Sequence, residues 1–425
     1  MGFKTSHPWF RSRGYLHFDR QISYKTAQKI VTSPKKVSQH SFYPLINYTI
    51  DAKKIRQDKA TGLIEVKKKE RPIAYSSHVD SHIYAYYSYL LSKSYELELE
   101  SKGLGECVLA FRSLGKSNIE FANNAFNCIK HFGNCGVVAL DLSKFFDELD
   151  HKILKHQWAN TLHKITLPSD HYNVFKSLTK YATIDKDLLY SKLNISNNNP
   201  RNGRDRVCEP LEFRNVVRSS GLIKTKTLGK GIPQGSPISS LLSNIYLIDF
   251  DLKMKKYVEN CNGFYFRYCD DMLFIVPIDQ KDEVEGLAQK EITKLRLTIN
   301  TNKTERRTFQ YRNGVLKADK PLQYLGFLFN GENIYLRSSS LARYSERMKK
   351  AVKLAKSTKR KIDFLKIGRG ESTKPLYKSK LYRKYSHLGK RNFITYGFRA
   401  AKIMDSKTIR KQLKPLWGKL QREIK

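Results

Sequence analysis

The sequence predicts a fold of mixed strands and helices, followed by a strongly basic helical region. The runs at 137–142 and 264–276 are rich in β-forming residues, which indicates strands. The segment 76–100 has apolar residues at helical spacing, and 281–295 is also predicted to be helical. From about residue 337 the composition shifts to roughly 28 Lys and Arg against about 5 acids.

The overall charge indicates a polyanionic partner. The 425 residues include 79 Lys and Arg against 39 Asp and Glu, a formal net charge of +40. Nucleic acid is the first candidate for such a partner. An anionic membrane surface is the alternative. It is disfavoured because the basic residues are spread through the chain and are not gathered on one amphipathic helix.

The cysteines and the hydrophobic pattern indicate a cytoplasmic protein. None of the six cysteines forms a C-x-x-C pair, so neither a zinc knuckle nor a redox motif is expected, and they are predicted to be reduced packing residues. The N-terminus lacks an apolar core of signal-peptide length, and no apolar run is long enough for a transmembrane helix. No membrane partner is expected.

The stretch from Phe264 to Val276 is predicted to be a strand, a tight turn and a second strand, with Asp270 and Asp271 at the turn. Two acids at a hairpin tip are often only a solvated turn. A second apolar strand, however, ends near Asp141. If the two strands pair, we expect Asp141 and Asp270 to face each other and to hold two Mg²⁺ ions, which prefer carboxylate oxygens.

The N-terminal 60 residues are predicted to be a helical lead-in. Its aromatic residues are expected to be core, with base-stacking platforms as the alternative. A basic strand follows and carries Lys67, Lys69 and Arg71 before Pro72. Such a run is either a solvated face or a set of cationic clamps for a triphosphate.

The segment 110–118 is predicted to be a turn that opens a helix. Within it, Arg112 and Lys116 either reach template phosphates or lie on a plain surface. Residues 150–205 are predicted to be mostly helical, with a polar exposed loop at 194–206.

Gly and Pro residues in 229–247 predict a loop followed by a helix. Gln234 and Gly235 lie where a backbone would approach a ligand closely, although a purely structural turn is the alternative. Lys303 lies in a predicted strand and turn, and 321–329 and 331–336 are predicted to form a hairpin.

Three helices are predicted in the basic region, near 338–366, 376–404 and 407–422. In the first, an apolar stripe at helical spacing is expected to pack, and it comprises Met348, Val352, Ala355, Ile362 and Leu365. The region is interpreted as a salt-sensitive grip on a phosphate backbone, with a solvated bundle face as the alternative. The residues chosen for this grip are Lys349, Lys350, Lys353, Arg360 and Lys361.

Taken together, these segments resemble a reverse transcriptase. The family's blocks occur in the family's order and comprise Arg-Pro-Ile, the acid strand, Gly-Ile-Pro-Gln-Gly-Ser-Pro, Tyr-Cys-Asp-Asp, Lys-Thr-Glu and Tyr-Leu-Gly-Phe. The resemblance covers about residues 40–335. It implies an α+β right-hand polymerase, with a lead-in at 1–60, fingers and a mostly antiparallel palm at 61–335, and a helical thumb at 336–425.

The resemblance also implies roles for residues at matching positions. Asp141, Asp270 and Asp271 resemble the catalytic metal-binding triad, with the Leu142 carbonyl as an extra ligand. Two Mg²⁺ ions are implied, with Mn²⁺ as a substitute. Phe146 falls at the steric-gate position that favours deoxynucleotides.

The remaining roles concern the substrates. Gln234 resembles the residue that lines the incoming deoxynucleoside triphosphate, and Arg71 with Lys67 or Lys69 resembles the triphosphate clamp. Lys303 resembles the family's lysine near the catalytic face. The primer grip is implied at Tyr324, Leu325 and Gly326.

Within the family, the motifs and compact size look bacterial. Maturases usually carry further domains that are not found here. Retron enzymes carry an Asn-Ala-x-x-His element where this chain has Cys128, and the Val-Thr-Gly element is also missing. The resemblance, including the lead-in at 40–45, therefore favours a stand-alone antiphage defence enzyme, perhaps of the second class. Such enzymes copy a structured noncoding RNA into cDNA.

Three other functions compete with this assignment. An RNA-dependent RNA polymerase is disfavoured by Phe146, and a non-enzymatic RNA-binding protein by the three intact acids. Untemplated or protein-primed DNA synthesis stays open, as do retron-like and maturase-like enzymes and the oligomeric state.

Overall fold

The computed structural model describes residues 7–57 and 64–425, and within this range the side chains of 52–57 and 64–69 are outside the description. The side chains of Lys67 and Lys69 therefore lie outside the described part. Twelve strands are assigned in chain order within this range: β1 Leu45–Gln57, β2 Ile64–Tyr75, β3 Cys135–Asp141, β4 Ala182–Asp185, β5 Lys224–Thr225, β6 Phe264–Tyr268, β7 Asp271–Val276, β8 Glu305–Arg312, β9 Val315–Ala318, β10 Leu322–Tyr324, β11 Phe327–Phe329 and β12 Ile334–Leu336.

The helices are numbered in the same way. They are α1 Tyr24–Val31, α2 Pro34–Ser38, α3 His78–Ser101, α4 Asn118–Phe132, α5 Phe145–Glu148, α6 His151–Thr161, α7 Ser169–Thr179, α8 Lys186–Lys192, α9 Pro210–Glu212, α10 Ser239–Tyr246, α11 Ile248–Asn260, α12 Lys281–Lys294, α13 Ser338–Ile367, α14 Ser379–Tyr385, α15 Phe393–Ile403 and α16 Lys407–Ile424. Among the described residues, none of the helices combines the length and the hydrophobicity that crossing a membrane requires.

The first 60 residues are only partly helical, which corrects the expectation for this segment. The second of the two N-terminal helices, α2, ends at Ser38, and β1 then forms a long antiparallel hairpin with β2. Strand β1 also pairs in parallel with β4, which extends the sheet to β5. The aromatic residues do belong to the core, as expected. Trp9 is buried, and its ring lies 5.4 Å from the ring of Tyr86 on α3.

The palm is a five-stranded sheet in the order β6-β7-β3-β8-β9, and every neighbouring pair is antiparallel. The central strand β3 is apolar on both faces because helices or further strands cover both. Val138 and Leu140 belong to one core cluster with α3 and α10, whereas Cys135 and Val137 belong to another with α4 and the C-terminal helices. The sheet is therefore a rigid base for residues at its strand ends.

Residues 321–336 form a small three-stranded antiparallel sheet, β10-β11-β12, where the sequence predicted a two-stranded hairpin of 321–329 and 331–336. The extra turn occurs at Leu325 and Gly326, whose φ angles are 45° and 95°. Because glycine adopts positive φ readily, Gly326 lets the chain reverse within two residues.

The C-terminal region has four helices where three were predicted. The expected helix at 376–404 is broken into α14 and α15 by the segment 386–392. Gly389 lies against the backbone of Arg383, where a Cβ would not fit. Asn392 then caps α15 in a capping box with Thr395, which fixes a new helix start.

The apolar stripe predicted on α13 is packed only in its first half. Met348 and Val352 are buried and Ala355 is partly buried, but Ile362 and Leu365 are 49% and 58% exposed. The prediction was wrong for these two residues. Within the described part of the chain the C-terminal core ends near Ala355, so nothing covers the far end of α13.

Candidate active site

Three carboxylates meet at one edge of the palm sheet. Asp141 ends β3, Asp271 begins β7, and the register pairs these two residues directly. This corrects the expectation that Asp141 faces Asp270. Asp270 instead lies in the turn after Cys269, whose φ is 60°, and its carbonyl accepts a hydrogen bond from the Leu142 N–H at 3.3 Å. The turn therefore brings Asp270 to the end of β3, although outside the β-ladder.

The proximity of these acids perturbs their ionisation. Burial, together with the neighbouring Asp270 and Asp141, raises the pKa of Asp271 to about 7. Burial and the charge of Asp141 also raise the pKa of Asp270. Lys303 opposes both shifts, and its ammonium forms an ion pair with Asp141. Arg337 also opposes the shift at Asp271, so the edge concentrates negative charge that Lys303 and Arg337 only partly balance.

The donor set suits a hard divalent cation, because carboxylate oxygens are the ligands that Mg²⁺ prefers. Within the described part of the chain, no three His, Cys, Asp or Glu side chains are arranged so that they would hold a metal ion as they stand. Asp141 is engaged by Lys303 instead. A cation of higher charge would relieve the repulsion that raises the pKa values of Asp270 and Asp271, so the residues fit a metal if Lys303 releases Asp141.

A buried ion pair supports the turn that carries Asp270, and its role was not apparent from the sequence. Arg267 on β6 and Asp251 on α11 have side chains with 0% exposure and form a two-pronged pair at 2.7 and 2.6 Å. Nη1 of Arg267 also donates to the Cys269 carbonyl at 3.2 Å, next to Asp270. A lone Arg within the aromatic run 264–268 was the available signal.

Residues predicted to surround the nucleotide lie on α5 and on the loop before α10, and a backbone hydrogen bond joins the two. Phe146 lies on α5, and its carbonyl accepts a hydrogen bond from the Ile232 N–H at 2.9 Å. The ring is partly buried against the core. The loop that begins with Ile232 leads to Gln234, so the two predicted nucleotide-lining residues are tied together through the backbone.

The glycine after Gln234 is required by the protein's own backbone. Gly235 has φ of 114°, and a Cβ there would lie 2.6 Å from the Ala74 carbonyl oxygen. The Ala74 N–H in turn donates to the Gln234 carbonyl at 2.8 Å. The close approach that requires glycine here is therefore to β2, the strand that carries Arg71. Arg71 itself is exposed.

The predicted primer grip is the turn between β10 and β11. The Tyr324 side chain is buried, and its hydroxyl has no hydrogen-bond partner within the described part of the chain. The turn is held by Asn118 of α4, whose Nδ2 donates to the Leu325 carbonyl at 3.0 Å and to the Tyr396 hydroxyl at 2.9 Å. Asn118 therefore connects the palm turn with α15.

Arg112, one of the residues predicted for nucleic-acid contact, has its guanidinium hydrogen-bonded inside the protein. It forms a two-pronged pair with Glu96, with Nε and Nη2 at 3.0 and 2.6 Å. Nη1 donates to the carbonyls of Gly105 and Val108. The arginine thus fastens the loop after α3, and its side chain is only 6% exposed.

The other basic residues predicted for nucleic-acid contact lie on the surface. Lys116 is exposed next to the start of α4. On α13, Lys349 pairs with Glu423 at 3.4 Å and Lys350 pairs with Glu346 at 2.6 Å. The other three residues of the predicted grip on this helix, Lys353, Arg360 and Lys361, are also exposed.

A family model described as "Reverse transcriptase (RNA-dependent DNA polymerase)" matches residues 67–329, more than half of the chain. A comparison with curated protein sequences found no match. Among solved structures, similar folds include an apo telomerase from Candida tropicalis, at 12% identity and a TM-score of 0.42 over 95% of this chain and 70% of that one.

Two further telomerase structures are similar to the chain. A form from Candida tropicalis truncated from its C-terminal domain has 12% identity and a TM-score of 0.40, over 69% of this chain and 57% of that one. A telomerase from Candida albicans in complex with a fragment of telomeric RNA has 13% identity and a TM-score of 0.38, over 92% and 64%. Because all three TM-scores are below 0.5, the family match carries the identification, and with the antiparallel palm it shows the right-hand polymerase fold. The chain belongs to the reverse transcriptase family and is an RNA-directed DNA polymerase.

Proposed function

We propose that the chain extends a primer with deoxynucleotides at the edge where Asp141, Asp270 and Asp271 meet, by two-metal nucleotidyl transfer. The observation that carries this proposal is the convergence of the three carboxylates at adjoining ends of β3 and β7. Burial and their mutual repulsion raise the pKa values of Asp270 and Asp271, which supports a site that takes up positive charge.

Two Mg²⁺ ions held by these acids and the Leu142 carbonyl, or Mn²⁺ in their place, would activate the primer 3′-hydroxyl and neutralise the triphosphate. The protein's own residues supply position and charge. Arg71, with Lys67 or Lys69, would clamp the triphosphate, and Gln234 would line the nucleotide. Lys303 holds Asp141 before substrates arrive and is free to turn to a phosphate once Asp141 is engaged elsewhere.

The polymerisation site is tested by the double variant Asp270→Asn, Asp271→Asn. We expect loss of deoxynucleotide incorporation on a primed RNA template, with RNA affinity nearly unchanged because neither residue belongs to the basic surface. Asp282→Asn is the matched control, since Asp282 is highly exposed on α12. Full activity in the double variant would refute the assignment.

We further propose that the template is a structured noncoding RNA and that its cDNA serves antiphage defence in the bacterial cytoplasm. The resemblance to defence enzymes supports this, as does the net charge of +40. The test is to purify the protein from its native host and to sequence the RNA and DNA that it holds. One enriched RNA, with complementary DNA that disappears in the Asp270/Asp271 variant, is expected.

The same experiment separates the rival functions. A broad RNA mixture without matching DNA would contradict a dedicated template. DNA that stays attached to protein after nuclease treatment would instead indicate a protein hydroxyl as the primer.

A further inference from the structure

A cavity of about 350 Å³ lies within the C-terminal helices, apart from the carboxylate edge. It is enclosed by the 386–392 segment, α15 and α16. Its walls include Phe398 and Trp417, with Leu413 at the base. A volume of this size is at the lower end of the range of small-molecule sites.

The walls offer aromatic surface to an entering group. Phe398 is 43% exposed although it is a large apolar residue. The rings of His387 and Trp417 meet edge to face, with centroids 5.1 Å apart, and Tyr382 packs on Trp417 at 5.4 Å. These neighbours hold the indole in place, so Trp417 presents a fixed aromatic surface.

The charges around the cavity are positive. Arg410 and Lys414 line it from α16, four residues apart and therefore on the same helix face. Among the side chains that the structure describes, no carboxylate pairs with either of them, and no acid lines the cavity. A cationic ligand is therefore disfavoured, and a ligand that combines a flat apolar group with an anion is favoured.

The cavity also adjoins a second cavity, which extends to the turn between β10 and β11. Tyr385 lines the first cavity and also lines the second, which has a volume of about 520 Å³, begins at Leu325 and Gly326 and carries Arg343 and Arg391. A single-stranded nucleic acid that lies in the second cavity, starting at the β10–β11 turn, would thus be separated from the first cavity only by Tyr385.

We propose that the cavity binds one unpaired nucleobase of a single-stranded nucleic acid. The base would stack on Phe398 and Trp417, and its phosphate would lie on Arg410 and Lys414. Aromatic stacking combined with a basic rim is how proteins hold single strands without reading sequence. This inference rests on the proposed function in one respect: the bound single-stranded nucleic acid would be the template or the product of polymerisation.

The test uses the full-length protein and the fluorescence of Trp417. The other two tryptophans, Trp9 and Trp158, are buried, so a nucleotide that stacks in the cavity quenches mainly Trp417. We expect a single-stranded RNA ten-mer to quench the emission, and Trp417→Phe to remove the quenching. A duplex of the same length should quench little, because its bases are already stacked.

Binding is measured in parallel by fluorescence anisotropy. Phe398→Ala should lower the affinity for the single-stranded ten-mer at least about fivefold, while the affinity for an abasic ten-mer stays unchanged. Lys414→Gln should lower the affinity for both oligomers. Leu388→Ala, an exposed residue of the same segment that does not line the cavity, is the control.

Two outcomes would overturn the inference. One is equal affinity of wild type and Phe398→Ala for the ten-mer, with both proteins folded by circular dichroism. The other is stronger quenching by an apolar peptide amide than by RNA, which would assign the cavity to a protein segment. The Asp270→Asn, Asp271→Asn variant must still show the quenching, so failure of polymerisation and failure of this inference are distinguishable.

Discussion

Removing Asp251 tests whether the buried pair with Arg267 holds the catalytic turn. In Asp251→Ala the guanidinium of Arg267 would stay fully buried and keep only neutral partners, the Asn244 side chain and the Cys269 carbonyl. Burial alone lowers the pKa of Arg267, but Asp251 outweighs it and the pKa is raised, so the arginine stays charged. Removing one partner of a buried ion pair costs about 3–5 kcal/mol.

The free energy of unfolding is measured by urea denaturation. Asp282→Ala is the matched control, because it breaks the exposed pair with Arg306 and should cost less than about 1 kcal/mol. The double variant Asp251→Leu, Arg267→Met removes the uncompensated charge and should recover a large part of the loss. If Asp251→Ala costs no more than Asp282→Ala, the pair does not carry the stability assigned to it.

Three further predictions concern other residues. Gly235→Ala should lower stability by more than about 1 kcal/mol in urea and reduce polymerisation, because its Cβ would strike the Ala74 carbonyl; Gly286→Ala, with open space, should be neutral or stabilising. Phe146→Ala should raise ribonucleotide over deoxynucleotide incorporation about tenfold or more in primer extension, and an unchanged sugar preference would contradict the gate. Burial lowers the pKa of His17 to about 3 from 6.5, so its contribution to the free energy of unfolding is present above pH 6.5 and is lost as the pH falls toward 3. At pH 5 about 2 kcal/mol of this free energy should be lost. In urea titrations His17→Asn should flatten this loss, whereas His156→Asn, at an exposed residue, should not.

The strands and the order of the acidic motifs could be predicted because each depends on a local pattern. Apolar β-forming runs that end in acids predicted β3, β6 and β7, and the structure confirms that these strands pair. The register could not be read from the sequence, because the turn at Cys269 and Asp270 decides which acid faces Asp141. A shift of one residue at a turn changes every cross-strand pair.

The roles of residues that depend on distant partners also could not be predicted from the sequence. Arg112 looks like any surface arginine until Glu96, on the preceding helix, is seen beside it. The pairing of Arg267 with Asp251 joins a strand to a helix 16 residues earlier. The packing of α13 likewise depends on where α16 ends. The spacing of apolar residues within α13 carries no information about the end of α16.

The uncovered end of α13 affects the colloidal behaviour of the protein. Phe364 is 78% exposed there, close to exposed Leu365 and Ile367 and to several lysines. At low salt the repulsion between these lysines keeps separate molecules apart. At about 1 M salt the Debye length is about 3 Å, so the repulsion is screened while apolar attraction persists. Salt high enough to strip bound nucleic acid should therefore also promote self-association of the free protein.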